Sequence, residues 1–313
     1  MEKVSILSGG RSTSEREVSL CSGRAVFEAL KTQMQCELFE LEEDCLPETL
    51  DAEQCVIFPL IHGEFGEDGQ LQHLLELAGF SFAGSDSRAS RICMDKSAAK
   101  MIAQQLGILT AKFCVYGGQN FEELWAFAEG PFVVKPNDRG SSVGVTKIYT
   151  AEDFLRCRKN WVQGQWIIEP CIVGREITVS ILDGCVLPVI EICPRGGFYD
   201  YAHKYTTDAT EYRVPAPITE FETRSVQSIS EQIFQACGCC DFGRLDFILN
   251  DQGKFNFLEI NTSPGMTATS LFPKAAAAMG INFPLLCRRM IDFACERKHS
   301  GKSFKDSVAI SIT

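Results

Sequence analysis

The segment "GRLDFILNDQGKFNFLEIN", followed directly by "TSPGMTATSLFP", holds the densest set of groups able to do chemistry. It reads as two strands turning at "NDQG". With an even-length turn, paired residues share a face, so Arg244, Asp246, Glu259 and Asn261 point one way and Leu245, Phe247, Leu258 and Ile260 point into a core. Two carboxylates, a carboxamide oxygen and a guanidinium on one face form a hard-oxygen set of the kind Mg²⁺ shares with substrate phosphates. Each residue alone reads better as part of a solvated strand face. Four together, running into a loop of hydroxyl groups, Pro264 and Gly265, point to a site.

A complementary half lies in "FVVKPNDRGSSVGV", where Lys135 leaves an apolar strand and a Gly/Ser loop follows. Small residues let consecutive backbone N–H groups surround an anion. The Walker A pattern G-x-x-x-x-G-K-[ST] does not occur in the chain, and a lone Gly/Ser turn is just as readily a hairpin connection, so the pairing with Lys135 and the acidic face carries the weight. Lys96 opens a helix, against the preference for anions there; a solvated face is the alternative reading. Glu169 and Glu176 flank "PCIVGR", where one strand gives way to the next, and offer acceptors for a nucleotide's amino group and ribose.

These groups need a scaffold. "KVSILS", a Gly-rich loop and "REVSLCSGRAVFEAL" form a strand–loop–helix unit, repeated by "CVIFPLI", "HGEFGEDG" and "QLQHLLELAG". Successive units of this kind imply a parallel sheet with ligands at the carboxyl ends of its strands. "MDKSAAKMIAQQLG", residues 94 to 107, reads as a further helix. From residue 111 strands follow closely, with helices near 121 to 129 and 151 to 161, as in α+β modules with antiparallel sheet. "CPRGGFYDYAHKYTTDATEYRVPAP" shows neither helical nor strand period; so long an irregular stretch reads as an active-site lid. A helix through "TRSVQSISEQIFQAC" and a closing helical region complete the plan.

With 313 residues, two or three subdomains are expected. A formal charge of −11 argues against a nucleic-acid partner. No segment reads as a signal peptide or membrane span, so a cytoplasmic location is expected. The basic stretch "RKHSGKSFK" reads as a solvated tail. Fifteen cysteines without framework spacing read as small buried hydrophobes in a reducing compartment. The same holds for "ACGCCDFG", whose C-x-x-C has no second ligand pair.

In order, "GGRSTSEREVSL", "HGEFGEDG", "MDK", "VVKPNDRGSSVGV", "IIEP", "GREITV", "FYDYAHKY", "GRLDF" and "LEINTSPGMTATSLFP" resemble the ATP-grasp superfamily and, within it, the D-alanine:D-alanine ligase family, from residue 3 to about residue 295. The resemblance implies α/β and α+β structure in a three-subdomain ATP-grasp architecture. Residues 1–85 would form a Rossmann-like parallel-sheet substrate domain and 86–174 a central subdomain. Residues 175–313 would form the catalytic subdomain, with lid loop 194–215. It implies that Lys96, Lys135, Ser141, Ser142, Glu169, Glu176, Tyr199 and Lys204 bind ATP, and that Asp246, Glu259 and Asn261 hold two Mg²⁺ ions, with Mn²⁺ as a substitute. Glu15 and His62 would receive the first D-alanine, and Ser270 and Leu271 the carboxylate of the second. Glu15, Ser141, Tyr205, Arg244 and Gly265 are the implied catalytic set, Arg244 and the Gly265 N–H stabilising an oxyanion.

The implied reaction joins two D-alanines with ATP through an acyl phosphate, for peptidoglycan synthesis, in a homodimeric enzyme. Tyr205, where depsipeptide-forming relatives usually carry Phe, favours D-alanine over D-lactate or D-serine as second substrate. Another carboxylate:amine ligase and a regulatory ATP-binding module are the more distant alternatives.

Overall fold

The structure is a computed structural model that describes residues 3–11, 15–140, 143–194, 210–267 and 269–300. Ser141, Ser142, Tyr199, Lys204, Tyr205 and most of the expected lid lie outside the described residues.

Strand β1 (Lys3–Gly9), helix α1 (Arg16–Leu30), β2 (Cys36–Leu41) and β3 (Cys55–Pro59) build a parallel sheet in the order β2-β1-β3. β2 is absent from the sequence expectation because "CELFEL" is mostly half-buried and carries no apolar run. Gly9 sits at φ +91°, and a Cβ there would fall 2.4 Å from the Leu41 carbonyl oxygen. Only glycine therefore permits the turn off β1.

Helices α2 (Gln70–Leu77), α3 (Ser87–Met94) and α4 (Lys96–Gln105) follow. The expected helix from residue 94 begins instead at Lys96. Asp95 leaves the helical region at φ −77°, ψ 100° and its side chain accepts from Ala98 N, an N-cap that ends one helix and starts the next.

The central layer holds β4 (Cys114–Val115), α5 (Phe121–Ala128), β5 (Phe132–Pro136), β6 (Thr146–Ile148), α6 (Ala151–Cys157) and β7 (Trp166–Pro170). Its antiparallel sheet runs β4-β7-β5-β6. Asn120 with Glu123, and Thr150 with Asp153, form capping boxes that start α5 and α6.

The last sheet joins β8 (Arg175–Leu182), β9 (Cys185–Val186), β10 (Ile190–Pro194), β11 (Thr210–Arg213), β12 (Phe242–Leu249) and β13 (Phe255–Asn261). The order is β11-β10-β8-β12-β13, with β9 on β8. The segment read as wholly irregular thus contains β11, which pairs antiparallel with β10 from Glu191↔Arg213 to Pro194↔Thr210. Its residues "TEYR" alternate only between half-buried and exposed, too weak a signal to read from sequence.

Helices α7 (Glu220–Ala236), α8 (Leu271–Ala278) and α9 (Phe283–Ser300) complete the described chain. One core cluster joins Val4 and Ile6 of β1, Val26 and Leu30 of α1, and Leu286, Met290 and Ile291 of α9, so the C-terminal helix covers the N-terminal sheet. Arg297, expected in a solvated tail, is instead buried on α9. It donates to Asp241 Oδ1 at 2.5 Å, to Asp241 Oδ2 at 2.6 Å and to the Phe82 carbonyl at 2.6 Å. Helix amphipathicity carried past the expected end of the domain, and the buried carboxylate supplied the partner. Cys237, Cys239 and Cys240 are buried, and Cys93 Sγ lies 3.3 Å from Cys239 Sγ, whereas Cys21, Cys45 and Cys185 are exposed. Among the described residues no helix is long and apolar enough to cross a membrane.

Candidate active site

The β12–β13 hairpin pairs Arg244 with Asn261, Leu245 with Ile260 and Asp246 with Glu259, the register expected at its open end. Closer to the turn the register changes. Phe247 pairs with Phe257 and Leu249 with Phe255, so residues 250–254 make an odd-numbered turn and Leu258 is the extra residue of a β-bulge. Leu258, expected in the core, is half-buried and lines the cavity, and Phe257 takes the core position at 0% exposure. The bulge reconciles an odd turn with a polar face that stays in phase.

Like charges directly opposed across strands destabilise a sheet. Here each carboxylate has a cation. Arg244 donates to both Asp246 oxygens, at 3.0 and 2.9 Å, and Thr178 Oγ1 donates to Asp246 Oδ1 at 2.6 Å. Lys96 Nζ is 3.6 Å from Glu259 Oε2 and also donates to the Arg139 carbonyl oxygen. Burial lowers the Lys96 pKa, Glu259 pulls it back, and the neighbouring Lys135 lowers it again, with a net shift downward.

A cavity of about 520 Å³ opens between the two antiparallel sheets and is bordered by the segments that follow β1 and β3. Glu15 and His62 line its N-terminal side; Lys96, Lys135, Glu169 and Glu176 another wall; Arg244, Asp246, Glu259 and Asn261 its floor; and Gly265, Ser270 and Leu271 the edge beyond the hairpin. Every described residue expected in the site therefore borders one cavity. Glu169 and Glu176 reach it from β7 and β8, whose connection passes Gly174. A Cβ at Gly174 would lie 2.3 Å from the Leu249 carbonyl oxygen, so glycine lets the chain cross the hairpin's end between the two sheets.

At the N-terminal end, Ser22 Oγ lies 3.4 Å from His62 Nε2 and accepts from Met266 N at 3.2 Å, tying α1 to the loop after β13. Glu67, not anticipated from sequence, is buried 3.6 Å from His62 Nδ1 and accepts from Gly63 N at 2.8 Å. A Cβ on Gly140 would stand 3.4 Å from Glu15 Oε1 and 3.6 Å from Glu67 Oε2, so the chain at Gly140 passes close to both carboxylates. Ser270 Oγ accepts at 3.0 Å from Thr267 N, two residues after Gly265.

Glu169 is 4% exposed, with Lys100 Nζ 2.9 Å from its Oε1 and Lys135 Nζ 3.0 Å from its Oε2. Burial opposes its charge, yet Lys135 and Lys100 together outweigh burial and hold the carboxyl below the usual carboxylate range. Burial also lowers Lys100, to about 8. Lys100 was not anticipated. Its spacing of four from Lys96 places both on one helix face, the only trace of its role in the sequence.

The donor set suits a divalent cation of the Mg²⁺ type. Two carboxylates oppose each other at the cavity floor, and the Asn261 amide is oriented by its Oδ1, which accepts from Ser263 N at 2.8 Å. Among the described residues no cluster of three or more His, Cys, Asp or Glu side chains is arranged to hold a metal, so such a cation would need the Asn261 amide and ligand oxygens to complete its coordination.

Comparison with known proteins gives a consistent assignment. Residues 33–85 match the model of the D-ala D-ala ligase N-terminus and residues 103–292 that of the D-ala D-ala ligase C-terminus. The chain is 42% identical over 301 residues to the D-alanine–D-alanine ligase of Methylacidiphilum infernorum, covering 93% of this chain and 95% of that protein. It superposes on the crystal structure of D-alanine–D-alanine ligase from Bacillus anthracis with a TM-score of 0.85 at 32% identity, covering 96% of this chain and 100% of that one. The structure of the Bacillus anthracis enzyme complexed with ATP gives a TM-score of 0.84 at 29% identity, with coverage of 96% and 100%.

Proposed function

The chain belongs to the D-alanine–D-alanine ligase family, and we propose that its cavity carries the ATP-dependent joining of two D-alanines through a D-alanyl phosphate. The observation that carries this reading is the meeting of Lys96, Lys135, Asp246, Glu259 and Asn261, drawn from three parts of the chain, around one cavity that also holds Glu15 and His62.

ATP lies with its base and ribose at Glu169 and Glu176. Glu169 borders the cavity and offers a carboxylate acceptor for the adenine amino group. Lys96 and Lys135 hold the phosphates, covered by the loop of Ser141 and Ser142. Glu15 takes the ammonium of the first D-alanine, with His62 beside it. The carboxylate oxygen of this first D-alanine attacks the γ-phosphorus, forming the acyl phosphate and releasing ADP. The free amine of the second D-alanine, whose carboxylate rests at Ser270 and Leu271, then attacks the acyl carbon. Arg244 and the Gly265 N–H stabilise the tetrahedral oxyanion, and phosphate leaves with the bonding pair and takes up the proton that the amine gives up. Asp246, Glu259 and Asn261 would hold Mg²⁺, or Mn²⁺ in its place, and a bound divalent ion would neutralise charge on the transferring phosphoryl group. Tyr199, Lys204 and Tyr205 belong to the segment that shields the acyl phosphate from water.

Subdomains of residues 1–85, 86–174 and 175–313, a cytoplasmic location, a role in peptidoglycan synthesis and a homodimer accompany this reading.

The test is phosphate release from Mg·ATP with D-alanine, with D-alanine plus D-lactate or D-serine, and with L-alanine, each product identified by mass. Release that depends on D-alanine and yields D-alanyl-D-alanine is expected. A mixed product as the main species would reassign the second substrate. No release with any D-amino acid would remove the ligase reading.

Arg244→Met is expected to lower kcat about a hundredfold, the usual cost of losing one oxyanion donor. Arg244→Lys should not restore it, because the guanidinium serves Asp246 through two parallel bonds that an ammonium cannot reproduce. Steady-state kinetics on both variants check this; near-normal turnover in Arg244→Lys would exclude the two-pronged role.

A further inference from the structure

We propose that Lys100 is a positioning residue for the nucleotide: it carries the charge of Glu169 from behind the cavity wall, and so frees Lys135 to turn toward a phosphate. The proposal rests on the nucleotide reading of this cavity given above.

The two lysines that flank Glu169 differ in where they can go. Lys135 borders the cavity, with its ammonium 3.0 Å from Glu169 Oε2. Lys100 has a side-chain exposure of 0% and does not border the cavity. Its ammonium is fixed by two further contacts. It donates to Thr110 Oγ1 at 2.6 Å, and that hydroxyl donates in turn to the Phe257 carbonyl oxygen of β13 at 2.7 Å. The Phe113 ring lies 6.0 Å from it. Helix α4 therefore presents Lys96 to the Glu259 end of the cavity and, one turn later, Lys100 to the Glu169 end.

A charge count gives the consequence. With both lysines protonated, the Glu169 group carries one net positive charge, which attracts a triphosphate. Without Lys100 the group is neutral and Lys135 becomes the sole counter-ion of a buried carboxylate. Drawing Lys135 away would then leave that carboxylate buried and unpaired, a strongly unfavourable state. Nucleotide would have to compete for the lysine that binds it. Because Lys100 approaches Oε1 at 2.9 Å from behind the wall, it neutralises Glu169 without occupying the cavity.

The experiment is a double-mutant cycle on the full chain in the D-alanine-dependent phosphate-release assay. Lys100→Met is expected to raise the KM for ATP at least tenfold, with kcat within about threefold and the KM for D-alanine within about twofold of the parent. In the Glu169→Gln background, where no carboxylate competes for Lys135, the same substitution should change the KM for ATP less than threefold. An equal rise in both backgrounds would assign Lys100 a purely structural role and overturn the proposal, as would an unchanged KM for ATP in Lys100→Met. If Lys100→Met does not fold, Lys100→Gln, which keeps a donor for Thr110 but no charge, is measured in the same cycle with the same expectations. A parent protein without D-alanine-dependent turnover would remove the reading of the cavity itself, and the proposal with it.

Discussion

Glu259→Gln is expected to lower kcat at least about a thousandfold while nucleotide still binds. The substitution preserves shape and removes one negative charge from the cavity floor. Phosphoryl transfer to a carboxylate brings two anions together. At about 4 Å and an effective dielectric of about 20, each pair of unit charges repels by roughly 4 kcal/mol, or about a thousandfold in rate. Glu259 faces Asp246 across the hairpin and lies 3.6 Å from Lys96, so it bears on both the proposed cation site and a phosphate lysine. A carboxamide in place of this carboxylate keeps an oxygen ligand but removes the negative charge that attracts a hard divalent cation. Single-turnover phosphate release, with ATP affinity measured separately by calorimetry, separates chemistry from binding. A loss below tenfold would remove Glu259 from the cation site.

Arg297→Met is expected to destabilise the fold by about 3–5 kcal/mol, the usual cost of stranding one partner of a buried ion pair. Asp241 loses both of its contacts to Arg297, and the Phe82 carbonyl loses a donor. The pair joins α9 to the start of β12 and to the chain before α3, so thermal unfolding should begin earlier by roughly 5–10 °C. Burial raises the Asp241 pKa above the ordinary carboxylate value even though Arg297 opposes the shift. The folded state therefore holds that proton more tightly than the unfolded state. The group's contribution is most favourable below the ordinary carboxylate pKa and is lost as pH rises through the raised one. Without Arg297 the folded pKa rises further, so the deficit of the variant should shrink on acidification. Differential scanning fluorimetry across neutral to mildly acidic pH measures both effects. A midpoint within 2 °C of the parent at neutral pH would mean that water already reaches the pair.

Much of the site was legible because its residues lie in short motifs with their own local logic. The alternation of "GRLDF" and "LEIN" placed Arg244, Asp246, Glu259 and Asn261 on one face, and the structure keeps that face. Leu258 went astray because a bulge depends on how an odd turn is accommodated against the partner strand. β11 was missed because its pairing with β10, rather than any apolar periodicity of its own, makes it a strand.

What the sequence by itself determined was therefore the order of the motifs, the strand-and-helix plan around them, the family they resemble and the chemical types of the groups in the site. Those follow from periodicity and from residue chemistry, which act over a few neighbours along the chain. Tertiary structure alone decided which charges face each other. Lys100 pairs with Glu169 and Arg297 reaches Asp241, each across a long stretch of chain, and Glu67 turns back to His62 within one loop. A buried lysine, glutamate or arginine has the same spelling as a solvated one. Only its removal from water makes a partner obligatory and its charge consequential.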